Sequence, residues 1–372
     1  MDGLPNIICG RLFELLFDDL DRICFGLTSK RLWTLLLKSD SQAQQQQQQE
    51  QKRLNLSNVD MPRKVWIPDY DLRTEVPDPP GTMTNVNWLH SLPLDAKGQT
   101  QSTLVSLSFS NMFNEQLQPG LLSSSITELN FGHHYSHQLQ PGWLPNSITS
   151  LKMGDYSGEP IPPNVLPSSL QTLTIGERID QQITPGFLPP TLTHLHLSYW
   201  FNQPLVPSCF PSSLLSITFG ETFNQPVGPS VLPMFLETLT FGYHFDQEIV
   251  PGSLPQSLTS LVFGYFFNQT ISPGVLPTKL QQLTFGDNYL RQIEEGSLSA
   301  CTSLTYLRFG NIFNHQLPEG EMPNSLQTLI FGRRYNQKLP KTLPLSLEEI
   351  VFGIRLWKIH SQQQSNISRS LR

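Results

Sequence analysis

Few residues in this chain have the types and spacing for chemistry. Three histidines form His133-His134-x-x-His137, and His133, Asp155 and Glu177 recur 22 residues apart. Imidazoles with carboxylates are a donor set for zinc or another divalent ion, but neither grouping has the spacing of an established metal site. His194 and His196 share one face of an extended segment. No Ser or Cys nucleophile stands beside them to make a hydrolytic pair. There is no G-x-x-x-x-G-K-[ST] loop to cradle phosphates. Cys9, Cys24, Cys209 and Cys301 are scattered without metal or disulfide spacing, which suits reduced thiols in the cytosol or nucleus. Neither catalysis, a cofactor nor a bound metal is expected.

What must position any functional residue is a repeat. The chain has 372 residues, 31 of them Pro and 22 Phe, and only 15% are charged. So many prolines exclude a normal set of long helices. The apolar residue ending each L-x-x-L-x-F segment falls at Phe109, Phe131, Met153, Ile175, Leu197, Phe219, Phe241, Phe263, Phe285, Phe309, Phe331 and Phe352. The interval is 22 eight times in succession, then 24, 22 and 21, which defines twelve units. A second aromatic column, including Phe223, Phe245, Phe267 and Tyr289, follows four residues later, and Asn or Asp comes next, as at Asn202, Asn224 and Asp246. The two aromatic columns hold fifteen of the phenylalanines. The prolines are periodic too, at Pro185, Pro207 and Pro229 and again at Pro189, Pro211 and Pro233. Two prolines four apart keep the return leg of each unit extended or turned rather than helical.

In a unit such as Leu258 to Phe263, the L-x-x-L-x-F spacing is that of a leucine-rich repeat. The segments Phe201-Asn-Gln-Pro-Leu205 and Phe223-Asn-Gln-Pro-Val227, with recurring Leu-Pro-x-Ser-Leu and Phe-Gly, resemble FNIP repeats, a leucine-rich-repeat-like family, over about residues 102–357. The resemblance implies a β-rich parallel solenoid of about twelve coils of 22 residues, with a mostly non-helical convex side. At about 4.8 Å per strand, twelve coils span roughly 55–60 Å. The Asn column is expected to satisfy turn backbone groups through its side-chain amide, coil upon coil. The unit between Phe285 and Phe309 lacks the prolines and carries two extra residues, leaving room for a short helical turn.

Recurring positions build the coil, so binding belongs to the positions that vary. The Gly or Ser after each Phe is expected to form a flat stripe on the strand face. Around it the variable positions run from ionisable (His133, Lys152, Asp155, Glu177) to aromatic (Tyr199, Trp200, Tyr243, His244, Tyr265, Phe266) to basic (Arg308, Arg333, Arg334). Aromatic and Arg side chains on a rigid surface are the usual anchors of protein interfaces. The candidate target-binding set on the concave face is His194, His196, Tyr199, Trp200, Tyr243, Tyr265, Phe266, Arg308 and Arg333.

The first forty residues differ in kind. Apolar residues recur at helical spacing (Ile8, Leu12, Leu15, Leu16, then Leu20, Ile23, Leu27). Leu4-Pro5, Asp19-Leu20, Ile23-Cys24-Phe25 and Leu27-Thr28-Ser29-Lys30-Arg31 leading to Trp33 resemble an F-box. The resemblance implies a small helical module that binds a Skp-type adaptor of a cullin–RING ubiquitin ligase through Leu4, Pro5, Ile8, Leu12, Leu20 and Ile23. The alternative is a cytosolic repeat scaffold in which these helices only cap the solenoid.

Residues 41–60, with six glutamines at 44–49, read as a low-complexity linker. Residues 61–101 read as an irregular cap, 102–357 as the solenoid and 358–372 as a disordered polar tail. A net charge of −6 gives no basic footprint for nucleic acid. No apolar run is long enough to span a membrane, and the N-terminus lacks the pattern of a signal peptide. The expected location is cytoplasmic, with the nucleus also compatible. The expected function is protein–protein interaction, as the substrate-recognition subunit of a ubiquitin ligase or as a plain scaffold.

Overall fold

The computed structural model describes residues 85–89, 100, 103–155, 159–353 and 355–358, all within one unit, Lys64–Arg372. The F-box-like segment, the Gln-rich linker and residues 359–372 of the tail lie outside the described residues. Strands β1 to β14 are, in chain order, Asn85–Leu89, Ser106–Phe109, Glu128–Asn130, Ser150–Lys152, Thr172–Thr174, His194–His196, Ser216–Thr218, Thr238–Thr240, Ser260–Val262, Gln282–Thr284, Tyr306–Arg308, Thr328–Phe331, Glu349–Phe352 and Arg355–Lys358. They form one sheet in strictly sequential order. Strands β2 to β13 are the twelve units read from the sequence. Pairing is parallel up to β13, and β14 closes that end antiparallel. The region read as an irregular cap supplies a strand, β1, which pairs in parallel with the first coil.

Register is set by the central apolar residue. Leu239 pairs with Ile217 on one side and Leu261 on the other, and all three are fully buried. A one-residue slip would carry each of them to the solvent face. The apolar residue that ends each L-x-x-L-x-F segment, Phe in most coils, is buried in every coil but the last, and its N–H reaches the next coil, as Phe241 N–H does to Val262 O at 2.9 Å.

Inside each coil the two aromatic columns stack. Phe241 and Phe245 lie 3.8 Å apart at 9°, and Phe241 meets Phe263 of the next coil at 5.8 Å and 8°. The stack is interrupted where Met153, Ile175, Leu197 and Ile179 replace the rings, and the aliphatic side chains fill the same buried layer.

The Asn/Asp column satisfies turn backbone groups coil upon coil, as expected, and the atom that does so is the side-chain oxygen, as an acceptor. Asn224 Oδ1 accepts the backbone N–H of Asp246 at 2.9 Å and the Gln247 side chain at 3.0 Å. Asp180 and Asp246 act in the same way toward Asn202 and Asn268. A carboxylate and an amide carbonyl are equivalent acceptors, which explains why Asn and Asp interchange here. The following Gln is the second donor to the same oxygen, hence the Asn-Gln pair.

The Pro-Gly column is a turn with a left-handed residue: Gly142 has φ +83°. Asn164, Ser208 and Ser230 hold that conformation at the same position with φ near +60°. In the Leu-Pro-x-Ser-Leu segment, the Ser hydroxyl donates to the buried Leu carbonyl of the preceding coil, as Ser257 does to Leu236 O at 2.6 Å.

The unit from Phe285 to Phe309 contains turns rather than a helix. Its N–H groups at 297 and 301 bond three residues back, to Glu294 and Leu298. The buried Glu321 of the next coil holds this loop, accepting from Gly296 N–H, from Leu298 N–H at 3.0 Å and from Ser299 N–H at 3.3 Å.

Candidate functional site

The variable residues fall on two surfaces of the solenoid. One is the solvent face of the sheet, where positions 1 and 3 of each three-residue strand point outward. It carries His194 and His196 on β6 and Arg308 on β11, all exposed. The other is a rim made by the two-residue turn that follows Phe-Gly in each coil. The structure places Tyr199, Trp200, Tyr243, Tyr265, Phe266 and Arg333 there, beyond the carboxyl ends of the strands. The nine candidate residues therefore do not form one strand-face surface. The reason is the glycine between strand and turn, which the sequence reading put on the exposed face. A Cβ on Gly242 would lie 1.9 Å from the Gly220 carbonyl oxygen, so the glycines are buried between coils. Ser198 fits the column by turning its hydroxyl inward to Ile179 O at 2.5 Å.

The rim is a rigid platform. Its backbone forms a second coil-to-coil ladder: His244 N–H donates to Glu221 O at 2.8 Å, Phe266 N–H to Tyr243 O at 2.9 Å and Asn288 N–H to Tyr265 O at 3.0 Å. On it the rings of Tyr243 and Tyr265 stack face to face at 4.7 Å and 8°. Phe266 packs edge-on to both, at 5.1 Å from each. Two coils away, Tyr199 and Trp200 meet edge-on, with Trp200 55% exposed. Rings that bury one another yet stay open to solvent have lost rotamer freedom before any partner arrives, which lowers the cost of binding.

At the ionisable end, His133 Nδ1 bonds Asp155 Oδ2, and Asp155 Oδ1 accepts the Glu177 backbone N–H at 3.4 Å. His137 Nε2 is taken by the Asn114 carbonyl at 2.9 Å. His133 and His137 thus turn to different partners. Among the described residues, no three His, Cys, Asp or Glu side chains are placed to hold a metal ion. On the sheet face, burial and the neighbouring His194 lower the His196 imidazole from its usual range. Cys209 and Cys301 are buried free thiols. Burial, with the Glu321 carboxylate adding to it, pushes Cys301 up to about 11.

Met234 and Phe235, 68% and 55% exposed, lie at the opposite edge and were not singled out from the sequence. The signal was present. Phe235 stands where the neighbouring units carry a Ser whose hydroxyl bonds the previous coil, so a lost structural residue marks an outward apolar one.

The fold and its surface define a leucine-rich-repeat-like solenoid, an architecture that typically serves as a protein–protein interaction scaffold. The FNIP repeat model matches residues 113–156, 156–200, 180–222, 201–244, 223–266, 267–312 and 313–354, and the chain belongs to this family. Among solved structures it is similar to CroV588, a circular leucine-rich-repeat protein, with a TM-score of 0.64 and 36% identity. That similarity covers 72% of this chain and 42% of the other, so this chain spans less than half of the CroV588 length. YopM from Yersinia enterocolitica WA-314 is 23% identical, with a TM-score of 0.44 over 71% of this chain and 62% of its own. No curated protein sequence matches the chain. No helix among the described residues is long and apolar enough to cross a membrane.

Proposed function

We propose that the chain is a target-binding subunit whose solenoid holds a partner protein on the aromatic rim. The observation that carries this reading is the exposed, mutually stacked cluster Tyr243, Tyr265 and Phe266, with Trp200 two coils away. Exposed aromatic side chains on a rigid backbone are the usual hot spots of interfaces. The rim residue Arg333 extends this surface, and the sheet-face residues His194, His196 and Arg308 offer a second, separate contact surface. The test is affinity capture with the full chain against Trp200→Glu and Tyr243→Glu variants. Partners captured by the native chain and lost by both variants support the reading. Capture unchanged by either variant overturns it.

The finer reading is that the target is presented for ubiquitination. It rests on the F-box-like residues Leu4, Pro5, Ile8, Leu12, Leu20 and Ile23 followed by a spacer and the repeats. Pull-down with a Skp-type adaptor, comparing the native chain with one carrying charges at positions 4, 5 and 8, decides it. No adaptor recovered by the native chain leaves the scaffold reading, in which the N-terminal helices only cap.

A further inference from the structure

The aromatic rim also carries a charge pattern that selects a partner chemistry. In the first turn position of six successive coils stand Glu177, Tyr199, Glu221, Tyr243, Tyr265 and Asp287. Three carboxylates are interspersed with three exposed phenol rings, and the second turn positions of these coils add a single guanidinium, Arg178. Successive coils are about 4.8 Å apart, so each carboxylate lies one coil from a ring face.

Two carboxylates are fixed there by the fold. Glu221 Oε2 accepts the Tyr243 backbone N–H at 2.9 Å. Asp287 Oδ2 accepts the Asn311 side-chain amide at 2.7 Å. Among the described residues, the other oxygen of each is left for a ligand. The Tyr243–Tyr265 stack lies between them.

We infer that this stripe binds an extended protein segment bearing arginines, each guanidinium lying on a tyrosine face with its N–H fork on the adjacent carboxylate. The inference rests on the rim's being a protein-binding surface. Arginine fits better than lysine for two physical reasons. Its plane stacks on an aromatic face within about 6 Å of the ring centroid. Its fork also matches a carboxylate, and it sheds water more readily than an ammonium group. Four coil intervals from Tyr199 to Asp287 span about 19 Å. That length accommodates about six extended residues, of which alternate ones, two or three arginines, face the rim.

The test is fluorescence anisotropy of the full chain with a labelled peptide of alternating Gly and Arg, and with its Lys and Glu counterparts. The Arg peptide binds, the Lys peptide binds several-fold more weakly, and the Glu peptide does not bind. Tyr243→Ala and Glu221→Gln each weaken the Arg peptide about tenfold. Glu221→Gln keeps the acceptor for Tyr243 N–H, so the rim keeps its shape. Glu237→Gln removes the same charge from the other end of β8, where Glu237 is exposed, and leaves affinity unchanged. Equal losses from Glu237→Gln and Glu221→Gln, or no loss from Tyr243→Ala, would mean diffuse attraction to an acidic protein and overturn the inference. Absent peptide binding, with partner capture still dependent on Trp200 and Tyr243, overturns the arginine assignment alone. Capture insensitive to those residues overturns the binding surface itself.

Discussion

The Asn/Asp ladder gives a prediction that separates two readings of the same side chain. Asn224 Oδ1 receives two donors, Asp246 N–H at 2.9 Å and Gln247 Nε2 at 3.0 Å. In Asn224→Ala both donors lose their partner. The backbone N–H is half-buried, and losing its acceptor costs about 1 kcal/mol, with part of another for the amide, so the total is about 1–2 kcal/mol. Asn314 makes the same contacts, to Asn336 N–H at 2.9 Å and Gln337 Nε2 at 3.2 Å, with no acidic neighbour in the column. Asn314→Asp keeps the acceptor, makes it stronger, and changes stability by less than about 0.5 kcal/mol. Asn224→Asp also keeps the acceptor but stands one coil from Asp246. At about 4.8 Å the repulsion is about 1 kcal/mol in water and about 3 kcal/mol at an effective dielectric of 20. Urea unfolding ranks the variants, and hydrogen exchange at the Asp246 and Asn336 amides shows whether the effect is local, since each coil contacts only its neighbours. If Asn314→Asp costs as much as Asn314→Ala, the NH2 group and not the oxygen is what the ladder uses. A neutral Asn224→Ala would mean that the ladder contributes nothing.

Other expectations follow from single positions. Ser230 is exposed and left-handed at φ 62°. Ser230→Gly should therefore raise stability by about 0.5–1 kcal/mol in urea unfolding, the relief of backbone strain less the extra freedom of the unfolded chain. The Tyr289 hydroxyl is buried with no hydrogen-bond partner among the described residues. Tyr289→Phe keeps the ring stack and should raise stability by about 1 kcal/mol, read as an upward shift of the thermal midpoint. Burial pushes the phenols of Tyr135 and Tyr335 up to about 12. In the unfolded chain they ionise near pH 10, so unfolding releases protons above that pH. Stability is flat with respect to these groups below about pH 10 and falls from about pH 10 to about pH 12, by about 1.4 kcal/mol per pH unit for each tyrosine. Phenolate absorbance rising together with loss of circular dichroism checks it; titration of both tyrosines near pH 10 in the folded chain would contradict it.

Much of the fold was legible because a solenoid is nearly one-dimensional. A period of 22 residues states which residues become neighbours, and the L-x-x-L-x-F spacing states which of them face inward. Phe241, Leu239 and Phe245 were thereby assigned to the core without any knowledge of contacts, and they are buried. The strand at Asn85–Leu89 was not legible. It sits outside the repeat, and pairing with the edge of the first coil is what makes it a strand.

The period fixes neighbours along the solenoid axis, but it does not fix direction around the coil. Whether Tyr243 lies on the strand face or beyond it depends on the buried Gly242, whose missing Cβ lets two backbones approach. That close approach turns the chain out of the sheet and makes the aromatic rim a surface separate from His194 and His196. Likewise the sequence places Asn over Asn every 22 residues, while the orientation of the amide, oxygen toward the next coil, is decided by where that coil's N–H points. The amino-acid pattern by itself determined the repeat, the core and the list of variable residues. Only the tertiary structure decided which of those residues meet, because that depends on backbone direction at the turns, and no periodicity encodes it.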